Sequence, residues 1–209
     1  MFQCSVPGVG PKDSQGSAQR KALTLAHIEE KYPNQDWTYI FTDGSADQAV
    51  RNGGAGVYIK YPGGNEENIS LATGCYSTNY QAEAVAIKTG AVHIQHSTET
   101  SQKVVFFSDA LSVLQTLKSG KEKELNELFS ALSALCQNHQ VTLQWIPSHC
   151  DVQGNEKADI LAKEGSTKDQ VDKSTTYKEA KTIIKAKQHT KWLQQHPQHK
   201  TKDPWHETR

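Results

Sequence analysis

The sequence predicts a mixed α/β fold with a five-stranded sheet, in which three antiparallel strands precede parallel strands and helices flank the sheet. The order of apolar patterns along the chain is strand, strand, strand, helix, strand, helix, helix, strand, helix. The fourth strand, Lys103 to Ser108, is an almost continuous apolar run, which is typical of a central strand covered on both faces. With 209 residues, the chain is long enough for one ordinary domain and an extension at either end.

The first 36 residues form the predicted N-terminal extension. Glycine, proline and serine recur as far as Ser17, which predicts disorder. From Gln19 to Lys31, apolar residues at helical spacing predict one short helix, and Pro33 with its polar neighbours ends it.

Three extended segments open the predicted domain at residues 37–166. The segment from Trp37 to Ser45 is apolar and rich in residues that favour β-strands. In the segment from Gly53 to Tyr61, the character of the side chains alternates from one residue to the next. Pro62-Gly-Gly-Asn predicts a turn, after which Glu67 to Thr73 returns as a third strand. These segments predict an antiparallel meander.

The rest of the domain alternates between helix and strand. Helices are predicted at 79–96, from Asp109 to Ser119-Gly120, at 124–138 and at 156–163. Strands are predicted at 103–108 and 141–146.

Residues 167–209 form a predicted basic tail with a helix from Tyr177 to Gln194. This segment has ten Lys or Arg against five Asp or Glu, although the formal net charge of the whole chain is zero. Two interpretations stay open, an ordinary solvated helix and a nucleic-acid contact surface. The tail histidines lack paired metal spacing, which favours solvated side chains over a zinc site; they are His189, His196, His199 and His206.

Composition excludes several classes of protein. Mean hydropathy is −0.68 and no apolar run approaches the roughly 18 residues of a membrane span, so we expect a soluble protein. The N-terminus lacks the pattern of a secretory signal. Four cysteines without a Cys-x-x-Cys pair indicate reduced thiols in an intracellular protein, in cytoplasm or nucleus. A Cys150–His149 nucleophile is disfavoured, because adjacent residues on an extended loop point in different directions.

Four acidic residues stand where a fold could bring them together. Asp43 and Asp109 each follow an apolar strand, Glu83 is the fifth residue of a predicted helix, and Asp159 lies near the start of the last helix. His149 precedes Asp159 by ten residues. Ligands in open sheets lie at the carboxyl ends of strands. Four like charges in one place repel one another unless a cation lies between them, so the set is a candidate divalent-metal site.

Each acid alone has a simpler explanation, such as helix capping by Asp109. The joint pattern favours function. Four motifs occur in order: Thr42-Asp-Gly-Ser45, Asn79-x-x-x-Glu83, Ser108-Asp109 and Ser148-His-x-x-x-x-Gly-Asn-Glu-x-x-Asp159. Together they resemble the ribonuclease H family, type 1, over Trp37 to Gly165. Tyr32-Pro-x-x-x-Trp37 and the run from Trp145 to Asp159 are most similar to the ribonuclease H segment of non-LTR retrotransposon polyproteins.

The resemblance implies an endonuclease that hydrolyses the RNA strand of RNA/DNA hybrids with two Mg²⁺ ions, for which Mn²⁺ substitutes, leaving 5′-phosphate and 3′-hydroxyl ends. It implies that Asp43 bridges both ions and that Asp159 helps to hold the water-activating ion. Glu83 and Asp109 would hold the ion facing the leaving oxygen, and His149 would assist proton transfer or product release.

For substrate contact, the resemblance implies the backbone of Gly44 and Ser45 and the side chains of Thr78 and Asn79. Departures from the family pattern affect the groove: Tyr80 and Leu111 replace an Asn and a Gln, and residues 118–124 replace a basic helix and loop. The expected partners are an RNA/DNA hybrid and a separate reverse-transcriptase domain, with no membrane and a monomeric domain. Two other functions stay open, a non-catalytic hybrid-binding remnant and a nuclease of this fold that acts on DNA.

Overall fold

The computed structural model describes residues 1–11, 14–48, 50–120, 125–172, 175 and 177–196. Its elements, in chain order, are β1 (Phe2–Gln3), α1 (Ser17–Lys31), β2 (Trp37–Asp47), β3 (Arg51–Lys60), β4 (Glu66–Gly74), α2 (Asn79–His96), β5 (Lys103–Ser108), α3 (Leu111–Ser119), α4 (Asn126–Leu135), β6 (Gln140–Trp145), α5 (Gln153–Thr167) and α6 (Tyr177–Gln195).

One mixed sheet has the strand order β1-β6-β5-β2-β3-β4. Strands β2, β3 and β4 form the predicted antiparallel meander, while β2, β5 and β6 run parallel. The predicted α/β class is confirmed. The bounds of α2 and β5 agree with the sequence prediction to the residue.

The sheet has six strands, so the predicted count of five was wrong. The additional strand β1 pairs in parallel with β6, with Phe2 opposite Leu143. The N-terminal ammonium of Met1 donates to the carbonyl of Val141 over 2.7 Å. The first residues are therefore ordered against the sheet, contrary to the expected disorder. A strand of two residues is too short to leave a periodic signal in the sequence. The domain boundaries at residues 36 and 166 stay a prediction.

Alternation along the strands divides the core between the two faces of the sheet. On one face, Ile40 and Phe106 pack with apolar residues of α2, α3 and α4. On the other face, Tyr39, Phe41 and Phe107 pack with residues of α1 and α5. Because both faces are covered, the side chains that leave the carboxyl ends of the parallel strands meet at one edge of the layered structure.

Helix α5 lies directly on β3, because Gly56 has no side chain to hold it away. A Cβ at Gly56 would stand 2.1 Å from the Ala158 carbonyl oxygen, which is too close for any larger residue. This contact fixes the first half of α5 over the sheet. It thereby fixes the position of Asp159, the next residue after Ala158.

The predicted tail helix is present as α6, and it is attached to the body of the protein. The Cys75 N–H donates to the Val171 carbonyl over 3.2 Å just before α6, and Ile183 within the helix is buried. His199 and His206 lie outside the described residues. Among the described residues, no helix is both long and apolar enough to cross a membrane.

Candidate active site

The register of the parallel strands brings Asp43 and Asp109 together. The last residue pair joining β2 to β5 is Thr42 with Ser108, and each aspartate follows directly. Asp109 therefore lies at a strand end as predicted. Asp43 does not, because β2 continues as far as Asp47 in its antiparallel pairing with β3. The two carboxylates nevertheless leave the parallel part of the sheet side by side.

Glu83 reaches the same place from α2. A Cβ on Gly44 would stand 2.2 Å from the Glu83 nitrogen, so the backbones of β2 and α2 touch at this point. Thr78 caps the helix, since its hydroxyl accepts from the Gln81 N–H over 3.2 Å. The glycine contact and the cap together fix the fifth helical residue next to Asp43.

Asp43, Glu83 and Asp109, hereafter the acid cluster, each place one carboxylate oxygen within 4.8 Å of the other two. Glu83 is buried, and its Oε2 has no hydrogen-bond partner in the described part of the protein. A buried oxygen without a partner is costly in a folded protein. Hard oxygen donors so arranged are suited to a divalent cation such as Mg²⁺. The residues present therefore fit the metal that the sequence implies.

Burial and mutual repulsion make the acid cluster hold protons that isolated carboxyls would release. Burial, followed by the negative charge of Asp109, raises the pKa of Asp43 to about 8. Burial and the charges of Asp43 and Asp109 raise the pKa of Glu83 well above its ordinary value. Burial also raises the pKa of Asp109, although a hydrogen bond from Asn155 and the charge of His149 oppose the shift. A bound cation would reverse these shifts.

Asp159 lies beside the acid cluster but points to a different partner. Its Oδ2 pairs with the Lys163 ammonium over 2.6 Å, one turn along α5. The charge of Asp159 nevertheless contributes to the raised pKa of both Asp43 and Asp109. The structure thus gathers three of the four predicted acids within 4.8 Å and leaves the fourth adjacent, held by a lysine.

His149 is exposed on the loop between β6 and α5, with a φ of +49°. Its charge acts on the Asp109 carboxyl, which places the imidazole near the acid cluster. The next residue, Cys150, is buried, and its thiol donates to the Pro147 carbonyl. Burial raises the pKa of the Cys150 thiol. These facts agree with the expectation that the two residues do not form a nucleophile pair.

The residues predicted to contact substrate belong to the same parts of β2 and α2 as Asp43 and Glu83. The Gly44 N–H donates to Asp43 Oδ1 over 2.9 Å, and Ser45 follows on β2. Asn79 is exposed in the first turn of α2, directly after Thr78. In the segment 118–124, where the sequence departs from the family, residues 121–124 lie outside the described residues.

Sequence reasoning did not select Asn155, which the structure places in the site. Its amide donates to the Asp109 carboxylate, the residue is buried, and its Oδ1 has no partner among the described residues. The residue stands inside the quoted motif ending at Asp159, but its bonding partner is distant in sequence. A cluster of acids alone gives no signal for such a residue.

Comparison with known proteins agrees with this geometry. The family model described as RNase H matches residues 35–167. The chain belongs to the RNase H family. This membership makes it a ribonuclease H, a nucleic-acid-binding hydrolase. No comparison bears on a retrotransposon context.

Named relatives are bacterial and human. The chain is 30% identical to "Ribonuclease HI" of Synechocystis sp. over 138 residues, covering 59% of this chain and 83% of that protein. It is 27% identical to "Ribonuclease H1" of Homo sapiens, covering 63% of this chain and 50% of that protein. The crystal structure of RNase H1 from Halobacterium salinarum matches at a TM-score of 0.50 and 18% identity, covering 62% of this chain and 96% of that one, which agrees with the fold.

Proposed function

We propose that this ribonuclease H hydrolyses the RNA strand of RNA/DNA hybrids endonucleolytically, leaving 5′-phosphate and 3′-hydroxyl ends. The observation that supports this most directly is the acid cluster, in which the buried Glu83 Oε2 has no hydrogen-bond partner in the part of the chain that the structure describes. The mutual repulsion of these carboxylates does not favour stability, whereas carboxylates gathered in this way can hold the cations that promote phosphodiester hydrolysis. The names of the relatives support the substrate class.

The metal in this proposal is Mg²⁺, as two ions, with Mn²⁺ as a substitute. Asp43, Glu83, Asp109 and Asp159 would hold it. Bound divalent ions supply charge neutralisation at the phosphate, activation of water and stabilisation of the leaving oxygen. Asp43 is suited to the shared position, because it interacts with each of the other three acids.

Two further side chains, those of Asn155 and His149, have roles of their own in this proposal. Asn155 orients the Asp109 carboxylate by donating to it. His149, exposed on its loop, would move a proton between the site and solvent, a task that imidazole rings perform in many enzymes. The loop backbone at positive φ fixes the direction in which the ring leaves the chain.

The hybrid would be held along the start of α2 and the adjacent part of β2. Asn79 and Thr78 present amide and hydroxyl groups beside the helix N-terminus, where backbone N–H groups favour a phosphate. Thr78 already accepts from the Gln81 N–H, so its own hydroxyl hydrogen remains to donate. Gly44 and Ser45 bring backbone close to the same groove. Contacts to 2′-hydroxyls are how a protein distinguishes RNA from DNA.

The decisive experiment compares one base sequence as RNA/DNA hybrid, all-DNA duplex and all-RNA duplex, each incubated with the protein in Mg²⁺. We expect cleavage of the hybrid alone, within its RNA strand, and none by the Asp43→Asn variant. Cleavage of all-DNA would select the DNA-nuclease alternative. Equal cleavage by wild type and variant would refute the assignment of the acid cluster.

A non-catalytic hybrid-binding remnant is the second candidate, because the family's basic helix and loop are replaced here by a short segment. A gel shift on the hybrid without cleavage in either Mg²⁺ or Mn²⁺ would select it. The retroelement context belongs to the same set of proposals, and its support is sequence resemblance. Stimulation of cleavage by an added reverse-transcriptase domain would test it.

A further inference from the structure

Asp109 stands at a break between two secondary-structure elements. Strand β5 ends at Ser108 and helix α3 begins at Leu111, so the peptide group that follows Asp109 belongs to neither element. The Leu111 N–H donates to the Asp109 carbonyl over 2.8 Å, and Ala110 between them has φ −73° and ψ 67°. These angles and this bond define an inverse γ-turn. The chain therefore turns sharply at a residue that supplies one carboxylate of the acid cluster.

A second donor, the indole of Trp145, bonds to the same carbonyl. The Trp145 Nε1–H donates to the Asp109 carbonyl oxygen over 3.2 Å. Trp145 is the last residue of β6, and it lies opposite Ser108 in the register of the two strands. Its ring is half-buried and packs against the apolar core on the α2, α3 and α4 face of the sheet. The indole thus reaches from β6 to the residue just beyond the end of β5.

Strand β6 and the residue after it hold the chain on both sides of the Asp109 Cα. On one side, the Ile146 N–H donates to the Ser108 carbonyl over 3.1 Å. On the other side, the Trp145 indole holds the carbonyl of Asp109 itself. The two peptide groups that flank a Cα determine the direction of its Cα–Cβ bond, so these two hydrogen bonds direct the Asp109 side chain towards the rest of the acid cluster. A carboxylate fixed in this way needs little reorganisation to bind a cation.

We propose that Trp145 is a positioning residue, whose indole N–H holds Asp109 in the orientation in which the acid cluster binds a divalent cation. The inference rests on the proposed function for its consequence in catalysis, whereas cation binding itself is measured without nucleic acid. In this role Trp145 contacts neither the cation nor the hybrid. Loss of the indole N–H therefore weakens cation binding and leaves the affinity for hybrid unchanged.

The first test is Trp145→Phe, which removes the indole N–H and keeps an aromatic ring against the core. Titration calorimetry with Mn²⁺, in the absence of nucleic acid, should give an affinity about three- to tenfold lower than wild type, the effect of losing one hydrogen bond. Cleavage of the hybrid should need about three- to tenfold more Mg²⁺ for half-maximal rate. KM for the hybrid at saturating Mg²⁺ should not change. Wild-type Mn²⁺ affinity in this variant would overturn the inference.

The matched control is Trp37→Phe, the same substitution at the start of β2, six residues before Asp43. Trp37 is buried and packs edge-on against Tyr32, so this variant should unfold at lower urea concentration and keep the wild-type Mn²⁺ affinity. Two outcomes would make Trp145 a structural residue only and refute its positioning role. One is a loss of stability alone in Trp145→Phe, and the other is an equal loss of Mn²⁺ affinity in both variants.

A measurement on the wild-type protein tests the same coupling without any variant, and so does not depend on whether Trp145→Phe folds. Coupling between two equilibria is reciprocal, so a bound cation must strengthen the indole hydrogen bond by the factor by which that bond strengthens cation binding. Followed by NMR, the indole proton of Trp145 should exchange with solvent more slowly once Mg²⁺ is added, whereas that of Trp37 should not change. An exchange rate at Trp145 that Mg²⁺ leaves unaltered would contradict the proposal.

Failure of the proposed function would look different from failure of this inference. If the proposed function were wrong, the wild-type protein would cleave no hybrid, although its Mn²⁺ affinity would still depend on Trp145. If the positioning role were wrong, the wild-type protein would cleave the hybrid, and Trp145→Phe would bind Mn²⁺ as tightly as wild type.

Discussion

The two ends of strand β2 lie in the same sheet but are built in opposite ways. At its start, the buried polar groups are paired: the Thr38 hydroxyl oxygen accepts from the Ser101 N–H over 3.0 Å, and Tyr39 donates to the Tyr32 carbonyl. Further along, Asp43 meets two more carboxyls, and a buried Glu83 oxygen has no partner among the described residues.

This difference separates the residues that stabilise the fold from those that perform chemistry. Aromatic packing of Tyr32 edge-on against Trp37 and Phe107 contributes stability and offers no reactive group. Repulsion in the acid cluster reduces stability and prepares a cation site. We therefore expect substitutions at the two ends to have opposite effects on activity and on stability.

The largest expected effect is on catalysis. Asp109→Asn or Asp43→Asn should reduce hybrid cleavage in Mg²⁺ on the order of 10³-fold or more, since each change removes several kcal/mol of transition-state stabilisation. Initial rates on a labelled hybrid measure this loss, and circular dichroism checks the fold. Asp47→Asn, at the exposed end of β2, is the control and should keep the wild-type rate. A variant of either cluster residue with wild-type rate would contradict the site.

At the other end of β2, the expected effect is on stability. Thr38 is fully buried, and its hydroxyl oxygen accepts from the Ser101 N–H over 3.0 Å. Thr38→Val leaves that N–H unpaired and should cost about 1–3 kcal/mol of the free energy of unfolding. Urea unfolding measures it, with the exposed Thr98→Val as a control. Activity per folded molecule should stay unchanged, and a loss there would show that the two ends are coupled.

A smaller effect concerns pH in metal-free protein. The folded-state pKa of Asp43 is about 8 against an ordinary value of 3.8, so folded protein holds protons that the unfolded chain has released. The free energy of unfolding must therefore fall as pH rises from about 4 to about 8. Asp43→Asn should be more stable than wild type in EDTA at pH 8, by about 1–3 kcal/mol, with the gap closing near pH 4. Thermal unfolding across pH tests this, and a gap that widens at low pH would contradict it.

The smallest expected effect comes from the lysine that holds Asp159. Lys163→Met frees the carboxylate for a cation and should tighten Mn²⁺ binding about two- to threefold, a small change because this ion pair is partly exposed. Titration calorimetry measures it without reference to activity. Lys168→Met breaks an equivalent pair with Glu164 on the same helix and serves as the control. Equal affinities for all three proteins would show that Lys163 does not compete with metal.

The acid cluster was predictable because its signals are local. Asp43 and Asp109 each follow an apolar run in the sequence, and Glu83 keeps a fixed distance from its cap at Thr78. The pairing of Asp159 with Lys163, four residues apart on a helix, was also open to sequence reasoning, although an acid in a motif suggests a free ligand. These parts needed only short-range rules.

Other features depend on contacts between distant residues and left no pattern. In the sequence, Gln144 occupies a polar position of an alternating strand, which predicts an exposed side chain. It is buried, because Tyr32 and Ser5 of the N-terminal segment supply its hydrogen bonds. Likewise, the basic composition of the tail could be counted, but not that the Lys187 ammonium of α6 lies 5.3 Å from the centre of the Tyr76 ring. Such facts follow from tertiary packing, which overrides local propensity.

The short strand β1 has a practical consequence for truncation. The family model begins at residue 35, and a protein trimmed to that point would lose β1 together with Ser5. The backbone groups of Val141 and Leu143 that bond to Met1 would then face solvent. An open edge of this kind is a template for pairing between molecules. A trimmed protein should therefore self-associate on size-exclusion chromatography at concentrations where the full chain does not. The first eleven residues thus protect this edge of the sheet from pairing with another molecule.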